Sequence, residues 1–420
     1  MKIKKIISAL SVLALAVTSL STTAFADVEV DGGYDYDRFR GKNVTLQVYN
    51  WGEYISDGSD GSLDVIGEFE KLTGIDVEYS TFPSNEDMYS VLKSGRSQYD
   101  IIIPSDYMIG KLIEEDMLEK INFDNVPNFT KYCDKKFLNP EYDPTNEYSA
   151  PYTWGTVCIL YDASRIDEEI TSWASLWDEK YSGQILMFNN PRDAMAIALI
   201  RLGYSLNTTD EKELKEAADL LIEQKPLVQA YVMDEVYDKM GNSNAFIAPY
   251  YVGDSYWIME TNPDLAVCIP EEGTNLFADA MCIPKNPNLD SSNDEKRKEA
   301  EIKKEAAEMF INYMYETQVA LENIEYICYS TPHTGAYALL DEEVRNDPFL
   351  YPSDEFITEK TEAYVNLPQE TNRYMDQLWT EIKISGDQNK WAFPLMLVAC
   401  VAISVFTIVR RFIKKRKDNM

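Results

Sequence analysis

Tyr99-Asp100-Ile101-Ile102-Ile103-Pro104-Ser105-Asp106-Tyr107 is the stretch on which the fold turns. Its run of isoleucines shows no alternation, so both faces of the strand must be covered, as in the middle of a parallel sheet clothed by helices. The residues upstream supply its partners. Val44, Leu46 and Val48 alternate as one strand, and Ile75-Asp76-Val77-Glu78-Tyr79 forms another. Between them, Leu63 to Thr73 reads as an amphipathic helix with Leu63, Ile66, Phe69 and Leu72 on one face and Gly74 as its stop. Ser84, with Asp87 three residues on, forms a capping box that opens a second helix closed by Gly95. The order is β-α-β-α-β, the beginning of an α/β lobe.

In open α/β sheets ligands bind beyond the carboxyl ends of the strands. The first strand ends in Val48-Tyr49-Asn50-Trp51-Gly52-Glu53-Tyr54, and the third delivers Ser105 and Tyr107. Trp51, Glu53 and Tyr54 are therefore expected beside Ser105 and Tyr107. Aromatic rings around one carboxylate suit an organic cation: ring faces attract an ammonium and cover its methylenes, while the carboxylate supplies the opposite charge. An ordinary strand end with half-buried aromatics would read the same way, but the mixture recurs.

Pro151-Tyr152-Thr153-Trp154-Gly155 leads into the apolar run Val157 to Tyr161, a crossing into a second lobe. There Ile185-Leu186-Met187-Phe188 is a strand that hands Asn189-Asn190-Pro191-Arg192-Asp193 to a helix over Ala194 to Leu202, stopped by Gly203. Asp193 reads equally as a first-turn residue favoured by the helix dipole. Ala245 to Ala248 ends in Pro249-Tyr250-Tyr251-Val252-Gly253-Asp254. Phe277-Ala278-Asp279-Ala280-Met281-Cys282-Ile283-Pro284 sets a lone Asp inside an apolar strand. A buried carboxylate needs a cationic or hydrogen-bonding partner, and no basic residue flanks this one. The polar stretch Asn286 to Lys298 is a loop before a long helix from about Glu299 to Thr317 with a solvated charged face.

Charge and the two chain ends set the compartment. The 420 residues carry 39 basic and 71 acidic side chains, a net −32. Setting aside Lys2, Lys4 and Lys5 and the C-terminal run Arg410 to Asp418 leaves 30 basic and 70 acidic residues, so the body stands near −40. Such a field repels nucleic acid and draws small cations. Lys2, Lys4 and Lys5, the apolar Ile6 to Val17 and Ala24-Phe25-Ala26 are the three parts of a secretory signal, with cleavage expected after Ala26. Trp391 to Val409 has no charge and is long enough to span a bilayer, and the basic block Arg410 to Lys417 marks its cytoplasmic side. The six cysteines are widely spaced and read as mostly buried thiols. His333 is the single histidine, Asp57 to Ser62 lacks the closing Glu of a calcium loop, and no metal or cofactor set is expected.

Assembled, these residues resemble the spermidine/putrescine-binding proteins of polyamine ABC transporters over roughly Val44 to Lys383. The motifs are Tyr49-Asn50-Trp51-x-Glu53-Tyr54, Phe69-Glu70-Lys71-x-Thr73-Gly74-Ile75, Ser84-Asn85-Glu86, Tyr99-Asp100 with Pro104-Ser105-x-Tyr107, Pro151-Tyr152-x-Trp154-Gly155, Leu202-Gly203-Tyr204-Ser205 and Tyr329-x-Thr331-Pro332. The resemblance implies a two-lobed α/β periplasmic-binding-protein fold of type II that closes like a hinge on a polyamine. It assigns ligand contacts to Trp51, Glu53, Tyr54, Ser105, Tyr107, Asn190, Asp193, Tyr251, Phe277, Asp279 and Tyr329, with Tyr364 as a looser match. Gly52 stands where Thr can occur, Asn190 where Asp can, and Tyr251 and Phe277 where Trp is familiar. Asn190 removes a charge and leaves the choice between spermidine and putrescine open.

The expected organisation is a signal peptide (1–26), a linker (27–41), a first lobe (42–154 and 278–337), a second lobe (155–277 and 338–385), a C-terminal transmembrane helix (391–409) and a basic tail (410–420). The function that follows is capture of polyamine outside the cell by an anchored monomer and its delivery to a membrane permease, without catalysis. Two alternatives stand beside it: the same fold holding another small cation or solute, and a secreted glycoside hydrolase, since aromatic platforms with two carboxylates also describe a sugar cleft.

Overall fold

The computed structural model describes residues 28–385. The expected signal peptide, apolar span 391–409, basic tail and Cys400 lie outside the described residues, among which no helix is long and apolar enough to cross a membrane. From Val28 onward the expected linker is instead packed on the first lobe. A 3-10 turn at Tyr36–Phe39 buries both of its end residues. Tyr36 donates to Glu316 Oε1 at 2.6 Å and Tyr34 to the Asn125 carbonyl at 2.8 Å. Each contact is long-range and irregular, so no period in the sequence announces it.

The first elements are β1 (Thr45–Trp51), α1 (Val65–Thr73), β2 (Asp76–Phe82), α2 (Asn85–Ser94) and β3 (Ile101–Ile102). They are followed by α3 (Asp106–Glu114), β4 (Leu118–Glu119) and α4 (Pro127–Tyr132). β1 pairs in parallel with β2 on one side and with β3 on the other, Val48 lying opposite Ile101. The capping box of α2 is present: Ser84 Oγ accepts from the Asp87 amide at 3.1 Å and donates to its Oδ2 at 2.7 Å. The buried stripe of α1 is Val65, Glu68, Phe69 and Thr73, while Ile66 and Leu72 are half-buried. Asp64 caps the helix after Leu63, so Leu63 lies outside it and the inward face differs from the one that the apolar pattern marks.

β5 (Ser149–Asp162) is one 14-residue strand, buried almost throughout, that runs through both lobes. The second lobe follows as β6 (Ile185–Phe188), α5 (Pro191–Leu202), α6 (Glu211–Gln224), β7 (Val228–Val232), α7 (Glu235–Gly241), β8 (Ile247–Tyr251), α8 (Val252–Thr261) and β9 (Leu265–Cys268). β10 (Thr274–Pro284) returns the chain, antiparallel to β5 with Phe277 opposite Gly155 and a register shift between Asp279 and Ala280. The strand order β2-β1-β3-β10-β5-β8-β6-β7 therefore makes β5 and β10 the strands shared between lobes.

The long helix α9 (Asp294–Met314) begins before Glu299, capped by Asn293, and ends before Thr317, which opens α10 (Thr317–Ile327). Its charged face is not wholly solvated. Glu308 is 1% exposed and accepts from the Asn122 amide and Asn125 Nδ2 at 2.9 and 2.6 Å. α11 (Thr334–Leu339) and α12 (Glu342–Arg345) lead to α13 (Asp354–Lys360), β11 (Thr361–Ala363) and α14 (Gln369–Ile384).

Two apolar cores define the lobes. One gathers residues from Tyr36 to Tyr152 with Phe277 to Leu340, and the other those from Val157 to Leu265 with Leu367 to Ile382. Val344 and Tyr351 still pack on the first core, so its hold extends past residue 337.

Candidate functional site

Between the two cores lies a cavity of about 760 Å³, open solvent at its mouth included. Its walls are built at helix N-termini: Asn85 and Glu86 open α2, Ser105 caps α3, Asn190 caps α5 and Tyr251 precedes α8. Each of these ends carries a carboxylate in its first turn, which the positive end of the helix favours.

The carboxylates are held by tyrosines. Tyr54 donates to Asp279 Oδ2 at 2.6 Å, Tyr251 to Asp193 Oδ2 at 2.6 Å, Tyr364 to Asp193 Oδ1 at 2.8 Å and Tyr107 to Glu86 Oε1 at 2.9 Å. Tyr237 and Tyr329 present their hydroxyls to Asp254. With Asp234, five acidic residues line the cavity, and among the described residues no Lys, Arg or His does. Burial pushes Asp254 up to about 7, against the opposing pull of the two tyrosines. It raises Asp279 to about 6 in the same way, with the Tyr54 and Ser105 hydroxyls pulling down and Asp193 adding repulsion. Burial also raises Glu86. Asp279 is 4% exposed, and among the described residues its Oδ1 has no hydrogen-bond partner.

The rings complete the walls. Trp51 packs on Phe82, centroids 4.6 Å apart, and anchors its indole N–H on the Ile103 carbonyl at 2.9 Å. Tyr329 lies 5.0 Å from Tyr54 and 6.2 Å from Phe277, which in turn lies 5.5 Å from Tyr251. Two glycines make this packing possible. A Cβ on Gly253 would stand 2.5 Å from the Tyr329 ring, and one on Gly155 3.0 Å from Phe277.

Of the residues singled out in the sequence, Trp51, Tyr54, Ser105, Tyr107, Asn190, Asp193, Tyr251, Phe277, Asp279 and Tyr329 line the cavity, as does Tyr364. Glu53 does not. It is exposed, and its left-handed backbone (φ 50°) breaks the alternation between Trp51 and Tyr54 and takes it out of the wall. Asn190 acts through its neighbour, donating to Asp193 Oδ2 at 2.7 Å and accepting from the Asp193 amide at 2.8 Å. Asp193 is thus both a first-turn residue and a wall residue. Glu86, Asp234 and Asp254 were missed. Glu86 sits inside the Ser84-Asn85-Glu86 motif and Asp254 just after the Tyr250-Tyr251 pair, so both had a signal of position; Asp234 had none. His333 is a buried helix cap, its Nδ1 accepting from the Ala336 amide at 2.9 Å. No cysteine pair is bridged among the described residues.

The chain matches the bacterial extracellular solute-binding protein family over residues 97–360. It is 36% identical over 317 residues to the spermidine/putrescine-binding periplasmic protein of Escherichia coli K12, covering 75% of this chain and 85% of that one. It is 29% identical over 360 residues to the putrescine-binding periplasmic protein SpuD of Pseudomonas aeruginosa, covering 81% and 92%. The crystal structure of the spermidine/putrescine ABC transporter substrate-binding protein PotD from Streptococcus pneumoniae matches with a TM-score of 0.66 at 35% identity, covering 82% of this chain and 99% of that one. Resemblance over this much of the sequence, joined to a two-lobed fold with its cavity between the lobes, shows that the chain belongs to the bacterial extracellular solute-binding proteins, a family that binds solutes and does not transform them.

Proposed function

We propose that this chain is the ligand-capturing component of a polyamine ABC transporter, closing its lobes on spermidine or putrescine outside the cell and delivering it to a membrane permease. The observation that carries this reading is the cavity wall of five acidic residues, most of them held by tyrosine hydroxyls, flanked by ring faces and lined by no basic side chain. A linear polyamine supplies both missing components: ammonium groups for the carboxylates and methylenes for the rings. The names borne by the relatives from Escherichia coli and Pseudomonas aeruginosa support the same ligand class. In this reading Trp51, Tyr54, Ser105, Tyr107, Asp193, Tyr251, Phe277, Asp279 and Tyr329 contact the ligand, Asn190 orients Asp193, and Glu86 and Asp254 join them. Residues 42–154 and 278–337 form the body of the first lobe, and 155–277 with the segment that ends in α14 form the second.

The same proposal includes retention at the membrane through residues 391–409, with 410–420 inside and the lobes outside. A tether of this kind raises the concentration of the lobes near a permease without any tighter contact. Calorimetric titration of residues 27–390 with putrescine, spermidine and spermine tests the ligand class; saturable one-site binding to at least one is expected, and no heat from any of them with folded protein would overturn it. Truncation after Lys390 tests the anchor: the shortened chain should bind normally and appear in the medium, and its persistence in the membrane fraction would refute the tether.

A further inference from the structure

The contacts between the lobes are not all at the cavity. α3 of the first lobe presents Tyr107, Gly110 and Glu114, a spacing that places them on one helical face, to a single segment of the second lobe, Tyr364-Val365-Asn366. The Tyr107 and Tyr364 rings meet edge to face at 5.7 Å. At Gly110 a Cβ would stand 3.4 Å from Asn366 Cβ, so the helix approaches this segment closely where it has no side chain. Glu114 Oε2 accepts from Asn366 Nδ2 at 2.5 Å. Arg192, in the first turn of α5 and 4% exposed, closes the remaining side. Its guanidinium lies 4.7 Å from the Tyr364 ring centroid and 5.5 Å from that of Tyr107. It also donates through Nη2 to Asn207 Oδ1 at 2.6 Å and to the Val365 carbonyl at 3.1 Å. Asn207 fixes the segment to the second lobe through the Ala363 carbonyl and the Val365 amide. Gly110, Glu114, Arg192 and Asn366 are not among the residues that line the cavity.

We propose that this face of α3 is an interlobe latch, a contact made only when the cleft is shut, which sets how long the ligand is retained while most of its residues stay clear of the ligand. The inference rests on the reading of the cavity as a cleft that opens and closes on its ligand. Contacts present in one state and absent in the other shift the balance between them by their own free energy, whatever their distance from the ligand. The chemistry suits the task. The Arg192 guanidinium lies within cation–π reach of two rings, one from each lobe, and bridges them by charge. Gly110 leaves room for no side chain larger than a methyl group against Asn366 without a shift.

The test uses the full-length chain in detergent micelles, with putrescine and spermidine as probes and tryptophan fluorescence in a stopped-flow instrument as the readout. Gly110→Leu adds a side chain between Asn366 across the interface and Tyr142 of its own lobe, and raises local helix propensity. A ligand-free melting temperature close to the parent's shows that the contact with Tyr142 is accommodated. Its kon should stay within about threefold, and its koff should rise at least about tenfold, as expected when an interface change acts on dissociation. A normally melting Gly110→Leu protein with koff within about twofold of the parent would overturn the latch. Should that variant melt early, Asn366→Asp answers the same question by setting a carboxylate against Glu114. The ratio of its koff to the parent's should be highest at low salt and fall as salt screens the repulsion, staying above one because the hydrogen bond from Asn366 is lost as well. A ratio of one at every salt concentration would overturn the proposal. If the parental chain binds neither probe, the polyamine reading itself fails and the role of the latch in retention fails with it; whenever the parent binds, the variants judge the latch alone.

Discussion

The Tyr54 hydroxyl donates to Asp279 Oδ2 at 2.6 Å, while Oδ1 of the same carboxylate is buried without a hydrogen-bond partner. One oxygen is thus held by Tyr54, while the other has no hydrogen-bond partner among the described residues. Asp279→Asn should weaken polyamine binding by about 2–5 kcal/mol, the range for removing one partner of a desolvated charge pair. The ligand-free variant should melt at or above the parent at pH 8, since it no longer holds a charge that burial disfavours. Titration calorimetry with a parallel melting curve decides. Parental affinity in a normally folded variant would make Asp279 structural.

The positions of Glu53 and Asp254 rank two substitutions that the sequence motif ranks the other way. Glu53→Gln, on an exposed side chain outside the wall, should change binding by no more than about 0.5 kcal/mol. Asp254→Asn, in the wall between Tyr237 and Tyr329, should cost about 1–3 kcal/mol. The comparison is made in one buffer by competition for a single polyamine. The reverse order would return Glu53 to the site.

Protonation should couple to stability in a fixed direction. Asp254 and Asp279 titrate near 7 and 6 in the folded chain, above the ordinary Asp range. Groups raised in this way contribute stability that is fully present below about pH 4 and is lost as pH rises through about 6 and then 7. The ligand-free protein should therefore melt lower at pH 8 than at pH 5, and Asp254→Asn should flatten that slope. Saturating polyamine should flatten it as well, because the ammonium groups stabilise the charged acids. Identical slopes in parent and variant would show that Asp254 does not titrate in this window.

Gly253 is predicted to be intolerant of even one methyl group. With a Cβ only 2.5 Å from the Tyr329 ring, Gly253→Ala must displace that ring, at about 1–3 kcal/mol for an overpacked site. The melting temperature should drop and polyamine affinity fall together, because Tyr329 also faces Asp254. A crystal structure of the variant with Tyr329 unmoved would contradict the argument.

Much of this protein was legible in its residues because the signals are local. The capping box at Ser84 and Asp87 and the stop at Gly203 each depend on neighbours within a few positions, and each is present where the sequence places it. The run at Ile101 is a buried strand as expected, but it is only Ile101–Ile102 and lies between parallel β1 and antiparallel β10, not inside a parallel sheet. The aromatic composition of the wall was equally visible, whereas of its five acidic residues only Asp193 and Asp279 were. Where local reasoning failed, a distant partner had intervened. The segment from Val28 to Phe39 found partners in Glu316 and Asn125, about a hundred to three hundred positions away.

The sequence by itself determined the α/β class, the order of the elements at its start and the family. Only the tertiary structure decided which carboxylates face the cavity. One left-handed residue takes Glu53 out, and helix packing brings Glu86 and Asp254 in, because the direction of a side chain depends on backbone angles and on neighbours hundreds of residues away. The meeting of Gly110 with Asn366 belongs to the same class: neither residue has a property that marks it until the chain has folded.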